Sequence, residues 1–322
     1  MVINFRGIIM SFTISGGVQI AGGSIVISPG GGSPSPSPSV SFGYTSGGFD
    51  PAIPNGPSTN RIDKFAFASD GNATDVGDLT IARYATAGQS SSLSGYNSGG
   101  NPTTNVIDKF NFSVDGNATD VGDLTLSRKA VAGQSSSVSG YSSAGNDGNQ
   151  TNVIDKFSFA SDGDATDVGD CTVSVDERAG QSSSDNGYAS GGQPVINVID
   201  KFSFASDGNA TDSGDLTLAR HGSSGQSSST HGYTSGGYSG GLSNVIDKFP
   251  FASDSNATDV GDLNAQLNNT AGQSSADNGY VSGGRYASNL DQIQKFPFAS
   301  DSDAADVGDL TQARTFATGQ QG

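Results

Sequence analysis

Few side chains in this sequence of 322 residues could do chemistry, and most of those are aspartates. Lys and Arg together number 15, Asp and Glu 32, His 2 and Cys 1. The aspartates recur in one loop type, whose first copy is Asp70-Gly71-Asn72-Ala73-Thr74-Asp75-Val76-Gly77-Asp78. Asp70, Asn72, Asp75 and Asp78 offer closely spaced hard oxygen donors, which Ca²⁺ accepts. The structural alternative is strong. Asp and Asn bond their own backbone two residues on and tolerate left-handed geometry, so they fill turns without any ligand. The loop also lacks the glutamate and spacing of an EF-hand. A turn is the expected role, with no cofactor and with Ca²⁺ as the single candidate. Asn72, Asn117, Asn209 and Asn256 open Asn-Ala-Thr sequons, which matter only in a secreted protein.

A second set is cationic. Lys64, Lys109, Lys156, Lys201, Lys248 and Lys295 each follow an aspartate, except that Gln294 precedes the last. Such a set could ring an anion or a partner's carboxylates. Salt bridges to neighbouring turn aspartates are the expected use, as surface ion pairs are common. His221 and His231 sit close together in sequence, far from Cys171. No nucleophile elbow is present, and no helix to carry one. The expectation is therefore a protein that is not an enzyme. The net charge of −17 provides no basic face for nucleic acid and disfavours anionic membrane surfaces. One cysteine rules out an intrachain disulfide; Cys171 stands where most copies have Leu, as a small buried hydrophobe would.

These residues recur because the whole chain recurs. Gly-Tyr-x-Ser-Gly-Gly, a variable loop, Asn-Val-Ile-Asp-Lys-Phe-x-Phe, the aspartate loop, Asp-Leu-Thr and Ala-Gly-Gln-Ser-Ser follow one another six times. The first Phe of each pair is Phe65, Phe110, Phe157, Phe202, Phe249 and Phe296, a period of about 46 residues. Each unit reads as four strands: around Gly-Tyr-x-Ser-Gly-Gly, at Val-Ile-Asp-Lys-Phe-x-Phe, at Asp-Leu-Thr-Leu with Leu124 and Leu126 on one face, and at Ala-Gly-Gln-Ser-Ser. In the second, Phe110 and Phe112 share one face and Ile107 takes the other, so the sheet is covered on both sides. Pro250 and Pro297 donate no ladder hydrogen bond and mark a strand end or an outer strand. Ser-Asp-Gly-Asn-Ala-Thr-Asp-Val-Gly reads as a turn, and the Gly-Gly pairs suit backbone crowding at an axis.

Four short strands per unit of this length predict an all-β chain, a six-bladed β-propeller over residues 39–322. Each chain end holds part of an Ala-Gly-Gln-Ser-Ser-type strand, so joining the ends would complete a blade and leave no free edge. Gly-Gly after an apolar strand, with an aromatic residue some way beyond, resembles the kelch repeat. The resemblance departs from the family in lacking its tryptophan and in Ala144 preceding Gly145. It implies a propeller with a binding role at loops and channel mouths. Copper-oxidase chemistry on such propellers needs a Tyr–Cys pair with histidines, and Cys171 is in the wrong place for it. The variable loops at 49–60, 101–104, 146–151, 193–196, 238–243 and 285–289 are predicted to share one rim, with Phe49, Tyr238, Arg285 and Tyr286 as contact residues.

Residues 1–28 do not match the repeat. Within them, residues 10–28 alternate apolar and polar around two Gly-Gly turns and predict two or three short strands, too few to hold a core. No stretch is long or apolar enough to span a bilayer, and none reads as a signal peptide. Residues 29–38, Pro-Gly-Gly-Gly-Ser-Pro-Ser-Pro-Ser-Pro, form an extended linker. The layout is anchor, tether and head. The Gly-Gly-rich opening is similar to the starts of marine tailed-bacteriophage structural proteins. That resemblance implies a virion-associated protein, a decoration or fibre head. It would bind a capsid or tail protein through residues 1–28 and a host-surface glycan or protein through the rim. The alternative is an extracellular or cell-surface bacterial adhesin of lectin type.

Overall fold

A computed structural model describes residues 41–52 and 57–322; the proposed anchor and linker, 1–28 and 29–38, lie outside the described residues. Every regular element among the described residues is a β-strand, and the strands form six sheets of four. The described residues form a six-bladed β-propeller. In the second blade the strands run outward from the axis as Ala87–Ser90, Ser94–Ser98, Val106–Asn111 and Thr119–Asp123, all antiparallel. The first blade takes its three outer strands, Phe42–Ser46, Arg61–Ala66 and Thr74–Asp78, from the start of the repeat region. Its inner strand, Thr318–Gln321, comes from the end. Tyr44 pairs with Gln320 and Ser46 with Thr318, so the two ends meet in one blade. The closing strand is contributed wholly by the C-terminal end rather than shared between both.

Two other placements differ from the sequence reading. The outer strand is Thr-Asp-Val-Gly-Asp, not Asp-Leu-Thr-Leu. Half of the supposed turn is thus strand, while Leu124 turns into the core beyond its end and Leu126 is only half-buried. Composition misled here because these outer strands are half-buried at best along nearly all their length and carry turn-type residues. The Gly-Gly pairs do not crowd the axis either. Gly47, Gly99, Gly191, Gly236 and Gly283 adopt φ of 62 to 65° where the second strand ends, a left-handed conformation open to glycine at little cost. Buried Ala144, at φ 60°, fills that slot in the third blade.

The axis is crowded by other glycines, those of Ala-Gly-Gln-Ser. A Cβ on Gly133 would run into the Gly88 carbonyl, one on Gly180 into that of Gly133, and so round through Gly225, Gly272 and Gly319 back to Gly88. The glutamine that follows is the stitch between blades. Gln89 Nε2 donates to Ser98 Oγ in its own blade and to Tyr141 O in the next, at 3.0 Å each. Gln320 makes the same step to Tyr96 O and carries it across the seam.

Apolar packing follows the same cycle. Tyr44 lies against Phe110 and stacks on Phe112 of the next blade at 4.9 Å, whereas Ile107 faces the other way into a cluster with Tyr96 and Phe157. The two-faced pattern of Phe110 and Ile107 is thus a consequence of stacking between blades. Tyr280 closes the series on Phe65 and Phe67. Pro250 and Pro297 end their strands, where a missing N–H is tolerated.

Five of the six crossings from one blade to the next are pinned by a buried ion pair. Arg83 meets Asp108 at 3.1 Å with both side chains fully buried, and Thr80 gives Asp108 two further hydrogen bonds through its N and Oγ1. Arg128–Asp155, Arg220–Asp247 and Arg314–Asp63 repeat the arrangement at 3.1 Å. Two blades show what it demands. In one, Val175 fills the usual arginine slot, and Arg178, three residues on, supplies the cation to Asp200 instead. In the other, Leu267 replaces the arginine and neutral Gln294 replaces its aspartate. A buried carboxylate keeps a cation, or both charges are lost together. Burial pushes the guanidinium pKa of Arg83, Arg128, Arg220 and Arg314 down.

Arg83→Leu alone is expected to cost about 3–5 kcal/mol in chemical denaturation, because it strands Asp108. Arg83→Leu with Asp108→Gln, which copies the Leu267–Gln294 blade, should recover most of that loss. Alkaline pH supplies a second check. Burial raises the Cys171 thiol to about 11 and, with the Asp115 charge, the Tyr44 phenol to about 12. Folding thus holds both protons more tightly than the unfolded chain does. Their contribution is full below the unfolded pKa values and is lost as pH rises through the folded ones. Stability should fall between pH 9 and 12, and Cys171 should resist a thiol reagent at pH 8 until the protein is unfolded, on the order of hours or longer.

Candidate recognition face

At one end of the propeller lie all the connections between second and third strands, which are the variable loops. The crossings between blades share that end. Isolated bridges join the two sets: Tyr84 to Asn101, Lys129 to Asn146, Asp176 to Gln193, His221 to Tyr238, Asn268 to Arg285, and Thr315 to Phe49. The residues after these crossing positions form the channel mouth. Ala85, Ala130, Glu177, Asn269 and Phe316 adopt φ between 52 and 56°, and Gly222 adopts 63°. Ala130 N donates to Ala85 O, Glu177 N to Ala130 O, Gly222 N to Glu177 O, and so on until Ala85 N donates to Phe316 O, at 2.6–3.0 Å. Six main-chain hydrogen bonds thus close a circle, and the strain of left-handed non-glycine residues is accepted to complete it. Nothing in the residue types announced this circle, since Ala, Glu and Phe are poor left-handed residues.

The frame is six-fold, but its side chains are not. Phe49 packs edge-on against Tyr84 at 5.1 Å, and Tyr84 against Phe316 at 5.8 Å, so one sector of the mouth is aromatic. Elsewhere His221 Nδ1 meets Glu177 Oε2 at 2.6 Å, and the His221 ring lies edge-on to Tyr238 at 5.6 Å. Asp176 accepts from Asn146 Nδ2 at 2.9 Å and Gln150 Nε2 at 3.3 Å. Glu177 is the single glutamate of the chain; its contact with His221 had no signal in spacing because it joins different repeats.

The sequence-predicted contact residues share this end. Tyr286 is 57 % exposed and Tyr238 38 %, Arg285 is exposed, and Phe49 is half-buried beneath its aromatic neighbour. Ile81, Val173 and Leu218, on the crossings, and Val195, in a variable loop, add exposed apolar surface there. The opposite end carries Leu93, Val114 and Val138.

The other candidates are spread over the body. Each lysine reaches the aspartate loop of the next blade: Lys64 to Asp115 at 2.9 Å, Lys109 to Asp162 and Lys156 to Asp207 at 2.8 Å, Lys248 to Asp301 at 2.9 Å, and likewise Lys201 to Asp254 and Lys295 to Asp70. The ion-pair reading of the lysines is the observed one. In the first aspartate loop, Asp70 holds Lys295, Asn72 Oδ1 accepts the Asp309 N–H at 3.1 Å, and Asp75 holds Arg61 at 2.9 Å. These oxygens serve separate protein partners rather than one centre, and Asp78 sits in the outer strand, its N–H donating to Asn117 Oδ1 at 3.1 Å. Among the described residues no cluster of three or more His, Cys, Asp or Glu is placed to hold a metal ion. His231 is edged by Thr230, its pKa lowered by burial and by Lys248.

No protein-family model matches the chain, and no curated protein is similar to it. The loop geometry implies that millimolar Ca²⁺ leaves the thermal midpoint unchanged, and that EDTA does so too. A calcium-dependent rise in midpoint, lost in Asp75→Asn, would contradict the ion-pair assignment.

Proposed function

We propose that the protein is a non-enzymatic recognition head whose working surface is the variable-loop face. One observation carries the reading: on a nearly six-fold frame, non-repeating aromatic and polar side chains gather at one end. Packing between blades accounts for what repeats, but it does not require Tyr238, Arg285 or Tyr286. Loops held on a rigid scaffold are the usual site of recognition. Exposed Tyr rings beside Arg, Asn and Gln suit a glycan or a polar protein surface, where flat apolar area and hydrogen bonds act together. The acid and base groups near the mouth are engaged with one another or with amides, which favours binding over catalysis. Kelch kinship belongs to the same proposal and rests on the Gly-Gly placement at the end of the second strand.

In this proposal the head is carried on a virion, bound to a capsid or tail protein through residues 1–28, and it contacts a host-surface glycan or protein. The support for the carrier is the sequence of that segment alone. The test is binding of the purified full chain to host cells and to a glycan array. Tyr238→Ala with Tyr286→Ala should lower binding at least about tenfold, a typical loss for aromatic anchors, with no change in thermal midpoint. Retained binding by the double variant would overturn the assignment of this face. Co-purification with intact virions, lost on deleting residues 1–28, separates the virion carrier from a free adhesin.

A further inference from the structure

The channel mouth repeats in its main chain but not in its side chains. Its circle of hydrogen bonds runs through Ala85, Ala130, Glu177, Gly222, Asn269 and Phe316 and back to Ala85. Six like steps place Glu177 across the circle from Phe316. All six residues line one cavity of about 70 Å³. A carboxylate and an aromatic ring thus share a small space from opposite sides. Of the four positions between them, Ala85, Ala130 and Gly222 carry a methyl group or nothing.

Gly222 is what lets two acceptors converge. A Cβ there would lie 2.5 Å from Asn269 Oδ1 and 3.4 Å from Glu177 Oε2, so both oxygens flank the same bare main-chain position. His221 meets Oε2 through Nδ1, which leaves Oε1 to a ligand. In its neutral form His221 donates Nδ1–H and orients the carboxylate without cancelling its charge. The Glu177 side chain keeps 25 % of its surface exposed. Across the circle, Phe316 is backed by Tyr84, with ring centroids 5.8 Å apart.

The neighbouring charges leave Glu177 as the one uncompensated group at the mouth. Arg178 is buried in its blade and paired with Asp200. Lys129 and Asp176 hold equivalent places on adjacent crossings, one position before Ala130 and Glu177, and carry opposite charges. Asp176 accepts from the neutral amides of Asn146 and Gln150.

We propose that the mouth takes a primary ammonium group on an unbranched alkyl stem, the lysine side chain of a protein partner. The ammonium has three N–H donors and no acceptor, which suits Glu177 Oε1 and Asn269 Oδ1 together. A cation over the Phe316 ring gains a cation–π attraction, and the apolar stem lies along the methyl groups of Ala85 and Ala130. The circle is closed by main-chain hydrogen bonds and cannot widen freely, so it favours a slim stem over a sugar ring. A chain of net charge −17 also draws cationic partners by long-range attraction. This inference rests on the recognition-face reading and adds the partner's chemistry to it.

The probe is n-butylammonium, titrated into the purified full chain at constant ionic strength and followed by calorimetry. Saturable binding is expected, with none for 1-butanol or glucosamine. Glu177→Ala and Phe316→Ala each install the residue that Ala85 and Ala130 already place in the circle, so the fold should accept both. Glu177→Ala should weaken butylammonium binding about tenfold, the loss of one charge-assisted hydrogen bond. Phe316→Ala should weaken it about three- to fivefold, the loss of the cation–π contact. No binding of butylammonium, equal binding of 1-butanol or glucosamine, or unchanged affinity in either variant would overturn the proposal. Tyr238→Ala with Tyr286→Ala should leave butylammonium binding intact, so a failure here is distinct from a failure of the host-binding test.

Discussion

Everything in this molecule depends on a strand borrowed across the chain. Thr318–Gln321 supplies the inner edge of a blade whose other strands begin at Phe42. A blade of this sequence has apolar residues on both faces, Phe110 toward one neighbour and Ile107 toward the other. Six such sheets in an open row would leave two apolar faces in water, at about 25 cal/mol for each Å² exposed. The circle removes both. That constraint also explains why so many links recur in one direction round the axis. The glutamine stitches, the lysine–aspartate pairs and the tyrosine–phenylalanine stacks each pass from one blade to the next and return across the seam.

Within that circle, polar and charged groups do much of the positioning. The surface lysine pairs are solvated and contribute little each. The buried Arg–Asp pairs are different in kind. Removing one partner is costly, whereas replacing both is nearly neutral, and the chain itself records this. Arg178 reaches Asp200 from a new position, while Leu267 and Gln294 abandon the charges together. Six copies in one molecule thus act as an internal substitution series.

Most of the architecture was legible because repetition amplifies weak signals. The period gave the blade number, and the alternation of Phe110 and Ile107 gave the two covered faces. The outer strand was missed because Thr119–Asp123 has no fully buried residue and is built of residues that otherwise make turns. The glycine crowding was assigned to the wrong glycines, since a Gly-Gly pair is more conspicuous than the lone glycine of Ala-Gly-Gln-Ser. The variable loops share one end of the propeller, as their common place in the repeat implied. Glu177–His221 and Phe49–Tyr84 stayed hidden, because each joins residues dozens of positions apart that only the packing of loops and crossings brings together.

Deletion of residues 317–322, followed by thermal and denaturant unfolding of the shortened chain, tests closure most directly. The account predicts that losing this one strand lowers the stability of all six blades and abolishes a single cooperative transition, with broadened or non-coincident unfolding by different probes. A shortened chain that still unfolds in one sharp transition, at the midpoint of the intact protein, would contradict it.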